Sequence, residues 1–186
     1  RAHPAAPRGE GAGARRRHRR MTAEDVSAVV IGRNEGARLA ACLASLAGEV
    51  SRVVYVDSGS SDGSTATARA HGAEVVELDP AQPFTAGRAR NAGLAALMAD
   101  RRGGTPCAFV QFIDGDCTLV PGWVDAARAA LGTDPRLAVV CGRRRERHPE
   151  ASVFNRLIDR EWDTPLGEAR ACGGDALMRI AVVREV

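Results

Sequence analysis

The chain has 186 residues, of which 45% are hydrophobic and 26% are charged, and its formal net charge is +3. These values are typical of a single globular domain, and no segment approaches the roughly 18 apolar residues of a membrane-spanning helix. All 26 basic residues are arginine, which excludes lysine-dependent chemistry such as Schiff-base catalysis or a phosphate-binding P-loop.

Residues 1–22 are rich in Arg, Ala, Gly and Pro, and they predict a disordered basic tail ahead of a domain at 23–186. Residues 1–20 hold seven arginines and one glutamate, so the positive net charge comes from this tail. The rest of the chain is slightly acidic, and we expect it to bind no nucleic acid. The alternative is a nucleic-acid-binding protein. Salt-sensitive binding that persists after removal of residues 1–20 would support it, and loss of binding on removal would confine it to the tail.

From residue 26 the chain alternates β-branched runs with helical patterns. Five runs predict strands that are largely buried, at 26–31, 52–56, 74–78, 108–113 and 137–141. Four helices are predicted between and after them. The first carries the apolar stripe Leu39, Cys42, Leu43 and Leu46 and ends at Gly48, and the others cover about 64–71, 86–100 and 121–131. This alternation predicts a parallel α/β sheet, whose ligands bind beyond the carboxyl ends of the strands.

Individual residues predict how three of these helices pack, begin or end. The third helix has a face of small residues that predicts close packing on the sheet, formed by Ala89, Ala92, Gly93 and Ala96. Pro121 is predicted in the first turn of the fourth helix, where its missing N–H costs nothing. His71 is predicted at the end of the second helix rather than as a ligand.

The ends of the first two strands carry polar residues. Gly32 to Gly36 is not a Gly-x-Gly-x-x-Gly turn, so a nicotinamide or flavin dinucleotide is not expected there. Arg33, Asn34 and Glu35 could instead hydrogen-bond a base or ribose, although Asn-Glu also begins ordinary helices. Asp57 ends the second strand and is expected to accept hydrogen bonds in the ligand crevice, ahead of a turn capped by Ser61 or Asp62.

Two later groups carry charge. Arg88 and Arg90 lie in the first turn of the third helix, where the helix dipole favours anions and disfavours arginine. A diphosphate held by these arginines would explain their presence, and a solvated basic face is the alternative. Asp114, Gly115 and Asp116 follow a buried strand. Two acids in that position repel each other unless a cation lies between them, which predicts a Mn²⁺ or Mg²⁺ site.

The blocks VVIGRNE, VVYVDSGSSDGS, AGRARNAGL, FIDGDCTLVPGW and CGGDALM together resemble family 2 glycosyltransferases over about residues 26–186. The resemblance implies an α/β GT-A fold, which is a Rossmann-like sandwich with a mainly parallel central sheet. It implies a hexosyl-type transferase that moves a sugar from a nucleotide-diphospho-sugar, a UDP-sugar foremost, to an acceptor hydroxyl with inversion. The implied setting is cytoplasmic synthesis of cell-envelope polysaccharide, on a saccharide or lipid-linked acceptor, with peripheral association at the inner face of the membrane.

The resemblance also assigns residues, position by position. Asp114 and Asp116 are the implied metal ligands, at the family's DXD motif. Ser58 stands where many members carry a second acid. The implied nucleotide-sugar-binding residues are Arg33, Asn34, Glu35, Asp57, Ser58, Gly59, Arg88, Arg90, Asp114 and Gly115.

The same resemblance limits what we expect of catalysis. The family continues beyond the position of Val186 into a motif that supplies the general base, so we expect a domain truncated at its C-terminus that lacks this base. Asp175 resembles a position near the transferred sugar, with a turn cap as the alternative. The acceptor side is expected at Gly142–His148 and at Glu161, Trp162 and Asp163, with a solvated charge run and core packing as the respective alternatives.

Two further alternatives remain. The chain could be a non-catalytic or inactive nucleotide-sugar-binding module, which turnover assays would separate from an enzyme. A sugar nucleotidyltransferase is disfavoured because GRNEGAR is a poor match to its Gly-rich loop and lysine is absent. No Ser or Cys triad is evident, and the five scattered cysteines favour unpaired, mostly buried thiols.

Overall fold

The computed structural model describes residues 25–99, 107–169 and 171–183, so the predicted basic tail at 1–22 lies outside the described residues. The described part contains twelve elements. They are β1 (Val26–Gly32), α1 (Ala37–Leu46), β2 (Arg52–Asp57), α2 (Ser64–Ala70), β3 (Glu74–Glu77), α3 (Ala86–Ala99), β4 (Phe109–Asp114), α4 (Trp123–Thr133), β5 (Val139–Cys141), α5 (Val153–Glu161), β6 (Ala176–Arg179) and α6 (Ile180–Val183).

The strands form one six-stranded sheet in the order β3-β2-β1-β4-β6-β5. The first four strands are mutually parallel, whereas β6 runs antiparallel to both β4 and β5. The prediction of a mainly parallel α/β sheet is therefore confirmed. The antiparallel strand β6 was not predicted, and it inserts between two strands that are consecutive in the predicted alternation.

Both faces of the sheet are covered, because alternate residues of the central strands point to opposite sides. On one face, Ala28, Val30 and Ile113 pack with α1 and α2, and the same face continues into a cluster with α4. On the other face, strand residues such as Val29 and Val110 pack with α3. The predicted apolar stripe of α1 is buried throughout, and Gly48 follows the end of this helix with φ +79°.

The helix α3 lies unusually close to the sheet. Ala89 and Gly93 are buried, and a Cβ added to Gly93 would lie 2.4 Å from Val29 Cγ1 and 2.9 Å from Val56 Cγ2. Both distances are well below an ordinary van der Waals contact. The predicted small-residue face of this helix is thus confirmed, and a glycine is what permits the approach.

A buried polar link joins α4 to the sheet. Gln111 in β4 has no exposed surface, its Nε2 donates to Phe112 O at 2.7 Å, and its Oε1 accepts from Trp123 Nε1 at 2.9 Å. The Trp123 ring also packs against the backbone of Gly142, where a Cβ would lie 2.8 Å from the ring. The first residue of α4 therefore fixes the end of β5 as well as the centre of β4.

Several sequence-based boundaries need correction. The fourth helix begins at Trp123 rather than at residue 121, because Gly122 adopts φ +79° and separates Pro121 from the helix. The fifth strand covers only Val139–Cys141, and α5, β6 and α6 were not predicted. The five cysteines are free, but only Cys42 is buried and Cys172 is exposed, so the expectation of mostly buried thiols is wrong.

His71 caps the end of α2, as predicted, with Nδ1 at 2.9 Å from Thr67 O. Among the described residues, no helix is both long enough and apolar enough to span a bilayer.

Candidate functional site

The carboxyl ends of the parallel strands bring the predicted residues to one edge of the sheet. In the registers of β1 with its neighbours, Gly32 pairs with Asp57 and Ile31 pairs with Asp114. The two acids that end β2 and β4 therefore flank the end of β1. We call this the donor edge, and it lies where ligands bind in open parallel sheets.

Asp57 is held by its own loop. Its side chain is 3% exposed, its Oδ2 accepts from the backbone N–H groups of Gly59 at 2.9 Å and Ser60 at 2.8 Å, and its Oδ1 accepts from Tyr55 Oη at 3.0 Å. Asp57 is not among the residues that line the adjacent cavity. In this structure the carboxylate therefore shapes the turn after β2, although the resemblance places it at a base.

Asn34 lies at the contact between the loops after β1 and β2. It has φ +56°, its N–H donates to Ser60 Oγ at 2.9 Å, and its Oδ1 accepts from Ser61 N at 2.7 Å. The Gly36 N–H donates to Asp62 Oδ2 at 3.0 Å. The polar groups of Asn34 thus bind another loop, and they fix the two loops as one unit.

A cavity of about 450 Å³ opens beside these loops. Four of the predicted residues, Arg33, Ser58, Gly59 and Arg88, line it together with the segment from Leu78 to Phe84. Ser58 is 8% exposed, and its buried Oγ has no hydrogen-bond partner among the described residues. A hydroxyl of this kind at a cavity wall is available to a ligand. The sequence analysis missed the segment 78–84, for which the exposed aromatic ring of Phe84 was the available signal.

Arg88 holds that segment in place. Its guanidinium donates to the backbone carbonyls of Asp79 at 3.2 Å, Gln82 at 3.3 Å and Pro83 at 3.4 Å. The backbone N–H of Arg88 donates to Thr85 Oγ1 at 3.1 Å. Arg88 therefore lines the cavity and also fixes its wall, which gives a physical reason for an arginine in the first turn of α3.

Arg90 faces the acids at the end of β4. Its Nη2 lies 2.7 Å from Asp114 Oδ1, and both side chains are about one-third exposed. Gly174 lies directly against the same carboxylate, since a Cβ there would be 2.2 Å from Asp114 Oδ2. Asp114 is thus placed between the first turn of α3 and the segment before β6.

Asp116 is exposed, and its Oδ1 lies 3.5 Å from Cys117 Sγ. Among residues 25–99, 107–169 and 171–183, no group of three His, Cys, Asp or Glu side chains is arranged to hold a metal ion. Mg²⁺ and similar ions are commonly held by one or two carboxylates together with substrate phosphates and water. Asp114 and Asp116 fit that kind of site, in which the phosphates complete the set of ligands.

Asp175 adds a third negative charge nearby. It precedes Ala176, which pairs with Phe112 in β4, and its buried Oδ1 has no hydrogen-bond partner among the described residues. Burial, followed by the charge of Asp114, raises the pKa of Asp175 to about 6, while the positive charge of Arg144 acts in the opposite direction. Arg90 and Arg144 compensate this negative charge only in part, and a bound cation would compensate it further.

Burial is also the largest cause that raises the pKa of two nearby thiols, and the same carboxylates add to it. The pKa of Cys42 is raised to about 12, and that of Cys117 is raised further. Thiols in this state are poor nucleophiles, because the reactive form is the thiolate. Neither of these two thiols is therefore activated as a nucleophile at the donor edge.

The predicted acceptor segment Gly142–His148 is fixed by its own contacts. Arg143 pairs with Asp163 at 3.0 Å and with Asp159 at 3.6 Å, and Arg147 Nη2 donates to Thr118 Oγ1 at 2.7 Å. Thr118 follows the acidic residues of the donor edge by two positions. The segment therefore lies beside the donor edge and is not a freely solvated run of charge.

Trp162 is partly buried, and Arg144 Cζ lies 4.8 Å from the centre of its ring. Arg144 also packs against Gly173, where a Cβ would lie 2.7 Å from the guanidinium carbon. One face of the Trp162 ring, which was expected on the acceptor side, is thus covered by an arginine. Glu161, at the end of α5, is exposed.

The family model described as Glycosyl transferase family 2 matches residues 27–178, whereas no curated protein matches the chain. Among solved structures, glucosyl-3-phosphoglycerate synthase from Mycobacterium tuberculosis in complex with uridine diphosphate is similar, with 26% identity and a TM-score of 0.59. The match covers 86% of this chain and 58% of that one.

The same enzyme is also similar to this chain in two complexes with Mn²⁺. One holds UDP-glucose and glycerol 3-phosphate (26% identity, TM-score 0.59, 86% of this chain and 58% of that one). The other holds UDP and glucosyl-3-phosphoglycerate (25% identity, TM-score 0.58, with the same coverage). This chain therefore spans 58% of the length of these solved structures.

Proposed function

The chain belongs to the family 2 glycosyltransferases, and from this membership we propose that it transfers a sugar from a nucleotide-diphospho-sugar to an acceptor hydroxyl, with inversion and with the help of a divalent cation. The observation that carries the proposal is the arrangement of the donor edge. A cavity with an unpartnered hydroxyl lies at one end of it, and the arginine and acids Arg90, Asp114 and Asp116 lie further along the same edge. A nucleoside needs a cavity with polar groups, and the diphosphate attached to it needs positive charge and cation ligands further along the same edge.

We assign the cavity to the nucleoside. Its polar wall offers the Arg33 guanidinium and the Ser58 hydroxyl, and Phe84 offers an aromatic surface. UDP in the similar solved structures supports uridine as the first nucleoside to test, and UDP-glucose supports a hexose as the transferred sugar. In this assignment Asp57 and Asn34 act through the loops that they hold and do not contact the base directly.

We assign the diphosphate to Arg90 and the acids beside it. Arg90 would exchange its ion pair with Asp114 for contacts with phosphate oxygens, which leaves Asp114 available to the ribose and to the cation. Asp116 and Asp114 would hold Mn²⁺ or Mg²⁺, in line with the Mn²⁺ of the similar structures. A bound cation would stabilise the negative charge of the departing diphosphate. Asp175 would contact hydroxyl groups of the transferred sugar.

We place the acceptor beside Arg144 and Arg147, which adjoin the donor edge. Arginines in this position favour an acceptor with a phosphate or carboxylate, such as a lipid-linked or acidic saccharide. The glycerol 3-phosphate and phosphoglyceric acid of the similar structures support an anionic acceptor. We place residues 23–186 in one GT-A domain that contains this donor site, with residues 1–22 as a tail.

The test is a thermal-shift and calorimetric panel of UDP, GDP, dTDP, CDP and ADP, each with Mn²⁺ or with chelator. The variants are wild type, Asp116→Ala and a matched control, Asp125→Ala, whose exposed carboxylate lies on α4. A nucleotide at about 100 times its Kd should stabilise the fold by about 2.7 kcal/mol. We expect a metal-dependent shift for UDP in wild type and in Asp125→Ala, and its loss in Asp116→Ala.

Two results would count against the proposal. If no nucleotide shifted the Tm, the assignment of a donor site would be wrong. If UDP bound equally with Mn²⁺ and with chelator, the role of the cation would be wrong. Transfer from UDP-glucose to glycerol 3-phosphate, compared with transfer to glycerol, tests the acceptor separately, and a lack of preference would contradict an anionic acceptor.

A further inference from the structure

Residues 78–84, which we call the wall segment, line the cavity and use most of their polar groups internally. The side chain of Asp79 accepts from the Ala81 N–H at 2.9 Å and from Gln82 Nε2 at 3.4 Å, and the Asp79 carbonyl accepts from the Gln82 N–H at 3.3 Å. The two prolines of the segment have no N–H. A ligand at the wall segment therefore meets mainly ring and aliphatic surface.

Arg88 binds the carbonyls of the wall segment. Its Nη1 donates to Gln82 O at 3.3 Å and to Pro83 O at 3.4 Å, and its Nη2 donates to Asp79 O at 3.2 Å. The beginning of the segment is bound separately, because the Leu78 N–H donates to the carbonyl of the last residue of β2 at 2.9 Å. Arg88 thus joins the middle of the wall segment to α3, and it uses both terminal nitrogens of its guanidinium to do so.

The cavity consequently has two kinds of lining. The wall segment ends in Phe84, which is 54% exposed, whereas Arg33 and Ser58 bring polar side chains from the loops after β1 and β2. A nucleobase has two flat faces that stack on aromatic rings and a polar edge that forms hydrogen bonds. Its face matches the wall segment, and its edge matches the polar lining.

We propose that Arg88 is a positioning residue for the nucleoside, because it holds the wall segment as the surface on which the base stacks, with Phe84 as the stacking ring. The inference rests on the proposed function, which assigns the cavity to the nucleoside. It gives the two arginines in the first turn of α3 separate roles, since Arg88 serves the base and Arg90 the diphosphate. A change at Arg88 should therefore weaken the binding of uridine and of UDP by the same factor.

The experiment compares the Kd of uridine with the Kd of UDP in Mn²⁺, by calorimetry and NMR titration, and records the Tm of each variant. Arg88→Ala removes the guanidinium. Arg88→Lys keeps the positive charge, but its single nitrogen cannot replace the two that now bind three carbonyls. Phe84→Ala removes the ring. Arg136→Ala is the matched control, because its guanidinium also forms several hydrogen bonds, but with Asp134 beyond the end of α4.

We expect Phe84→Ala to weaken uridine and UDP alike by about 5-fold or more, which is the loss of one base–aromatic stack. Arg88→Ala and Arg88→Lys should also weaken both ligands by one common factor. Phe84→Ala should have little further effect in an Arg88→Ala background, since both changes remove the same stacking surface. Arg136→Ala should bind both ligands as wild type, and Arg90→Ala should weaken UDP far more than uridine.

A second readout follows the wall segment itself. The amide hydrogens of Ala81 and Gln82 should exchange with deuterium faster in Arg88→Ala than in wild type, because the segment loses three hydrogen bonds. The same amides should exchange at the wild-type rate in Arg136→Ala. Unchanged exchange in Arg88→Ala would show that Arg88 does not hold the segment.

Other outcomes would also overturn the inference. If Arg88→Ala weakened UDP but not uridine, or if Arg88→Lys bound both as wild type, the charge of Arg88 would act on the diphosphate. If Phe84→Ala bound uridine as wild type, the base would not stack on the wall segment. These results would refute this inference alone, whereas a wild type that bound neither ligand would refute it together with the nucleoside assignment. Because Phe84 is exposed, Phe84→Ala should fold even if Arg88→Ala does not, and it can overturn the inference by itself.

Discussion

The replacement of Gly174 by alanine should disable the donor edge without unfolding the protein. The new Cβ would lie 2.2 Å from Asp114 Oδ2 and 2.7 Å from both Cγ and Oδ1 of the same side chain. All three atoms belong to a side chain that is one-third exposed and can turn away. Asp114 must therefore move by about 1 Å or more to reach an ordinary contact distance, and the movement separates it from Arg90.

The magnitude follows from what Asp114 would hold. The loss of a residue that orients a metal ligand typically costs about 10-fold to 100-fold in metal affinity, which is about 1.4 to 2.7 kcal/mol of binding free energy, and we expect a displaced ligand to cost at least as much. We expect the Kd of UDP in Mn²⁺ to rise by this factor in Gly174→Ala, while the free energy of unfolding in urea changes little. Calorimetric titration and urea denaturation of the same samples measure the two quantities.

Gly173→Ala is the matched control for this experiment. There the new Cβ meets the guanidinium of Arg144 at 2.7 Å, which is also the far end of a flexible side chain but belongs to the proposed acceptor side and not to the acidic segment. UDP binding in Mn²⁺ should match wild type in this variant. Equal affinities for Gly173→Ala and Gly174→Ala would show that Asp114 does not contribute to donor binding, and the reasoning would be wrong.

Three further predictions concern stability. Gly93→Ala gains about 1 kcal/mol of helix propensity but overpacks the core by about 1–3 kcal/mol or more. The added Cβ would lie only 2.4 Å from Val29 Cγ1, so the cost of overpacking should be at the upper end of this range. The Tm of Gly93→Ala should fall by several degrees while its Kd for UDP stays unchanged. An unchanged Tm would contradict the close packing of α3. Trp123→Phe leaves Gln111 Oε1 buried without its donor, so urea denaturation should show a loss of about 1–3 kcal/mol, and wild-type stability would contradict a buried link. The pKa of Asp175 is raised from 3.8 in the unfolded chain to about 6, so the folded state binds the proton more tightly, and stability should fall as the pH rises through the window between about 4 and 6. In chelator, the Tm of wild type should thus rise by a few degrees from pH 7 to pH 5, and the same rise in Asp175→Asn would assign it to another group.

Much of the fold was predictable because hydrophobic periodicity reflects burial. The central strands β1 and β4 are buried on both faces and read as continuous apolar runs, and the stripe of α1 marks its buried side. The GT-A fold implied by the resemblance is confirmed by the family match and by the solved structures. By contrast, β6 has four residues and gains its place only by pairing with β4 and β5, which lie far from it in the sequence.

The helix α5 was missed for a different reason. Its apolar residues Val153, Phe154, Leu157 and Ile158 do form a stripe at helical spacing, but none of the residues of α5 is buried, and the helix lies between the two predicted parts of the acceptor side. The available signal was local, since Ser152 caps the helix by accepting from Asn155 N at 3.1 Å. Capping residues can thus identify a short surface helix when burial does not.

The site was predictable as a set of strand ends but not as a set of contacts. The sequence placed Asp57, Asp114 and Asp116 at one edge, because the carboxyl ends of parallel strands meet there. The conformation of the turns decides which polar atoms remain available to a ligand. The backbone N–H groups after β2 donate to Asp57, and Arg88 donates to carbonyls within residues 79–83. Neither contact can be predicted from the types of residue in the sequence.

The contact between the loops after β1 and β2 has a consequence for motion. The amide hydrogens of Asn34, Gly36, Gly59, Ser60 and Ser61 all donate to side-chain oxygens, although most of these residues are exposed to solvent. Amides engaged in this way exchange slowly with deuterium compared with those of an open loop. A donor edge that is ordered before a ligand arrives loses little conformational entropy on binding, so a nucleotide should associate with it in a single fast step with no slow rearrangement.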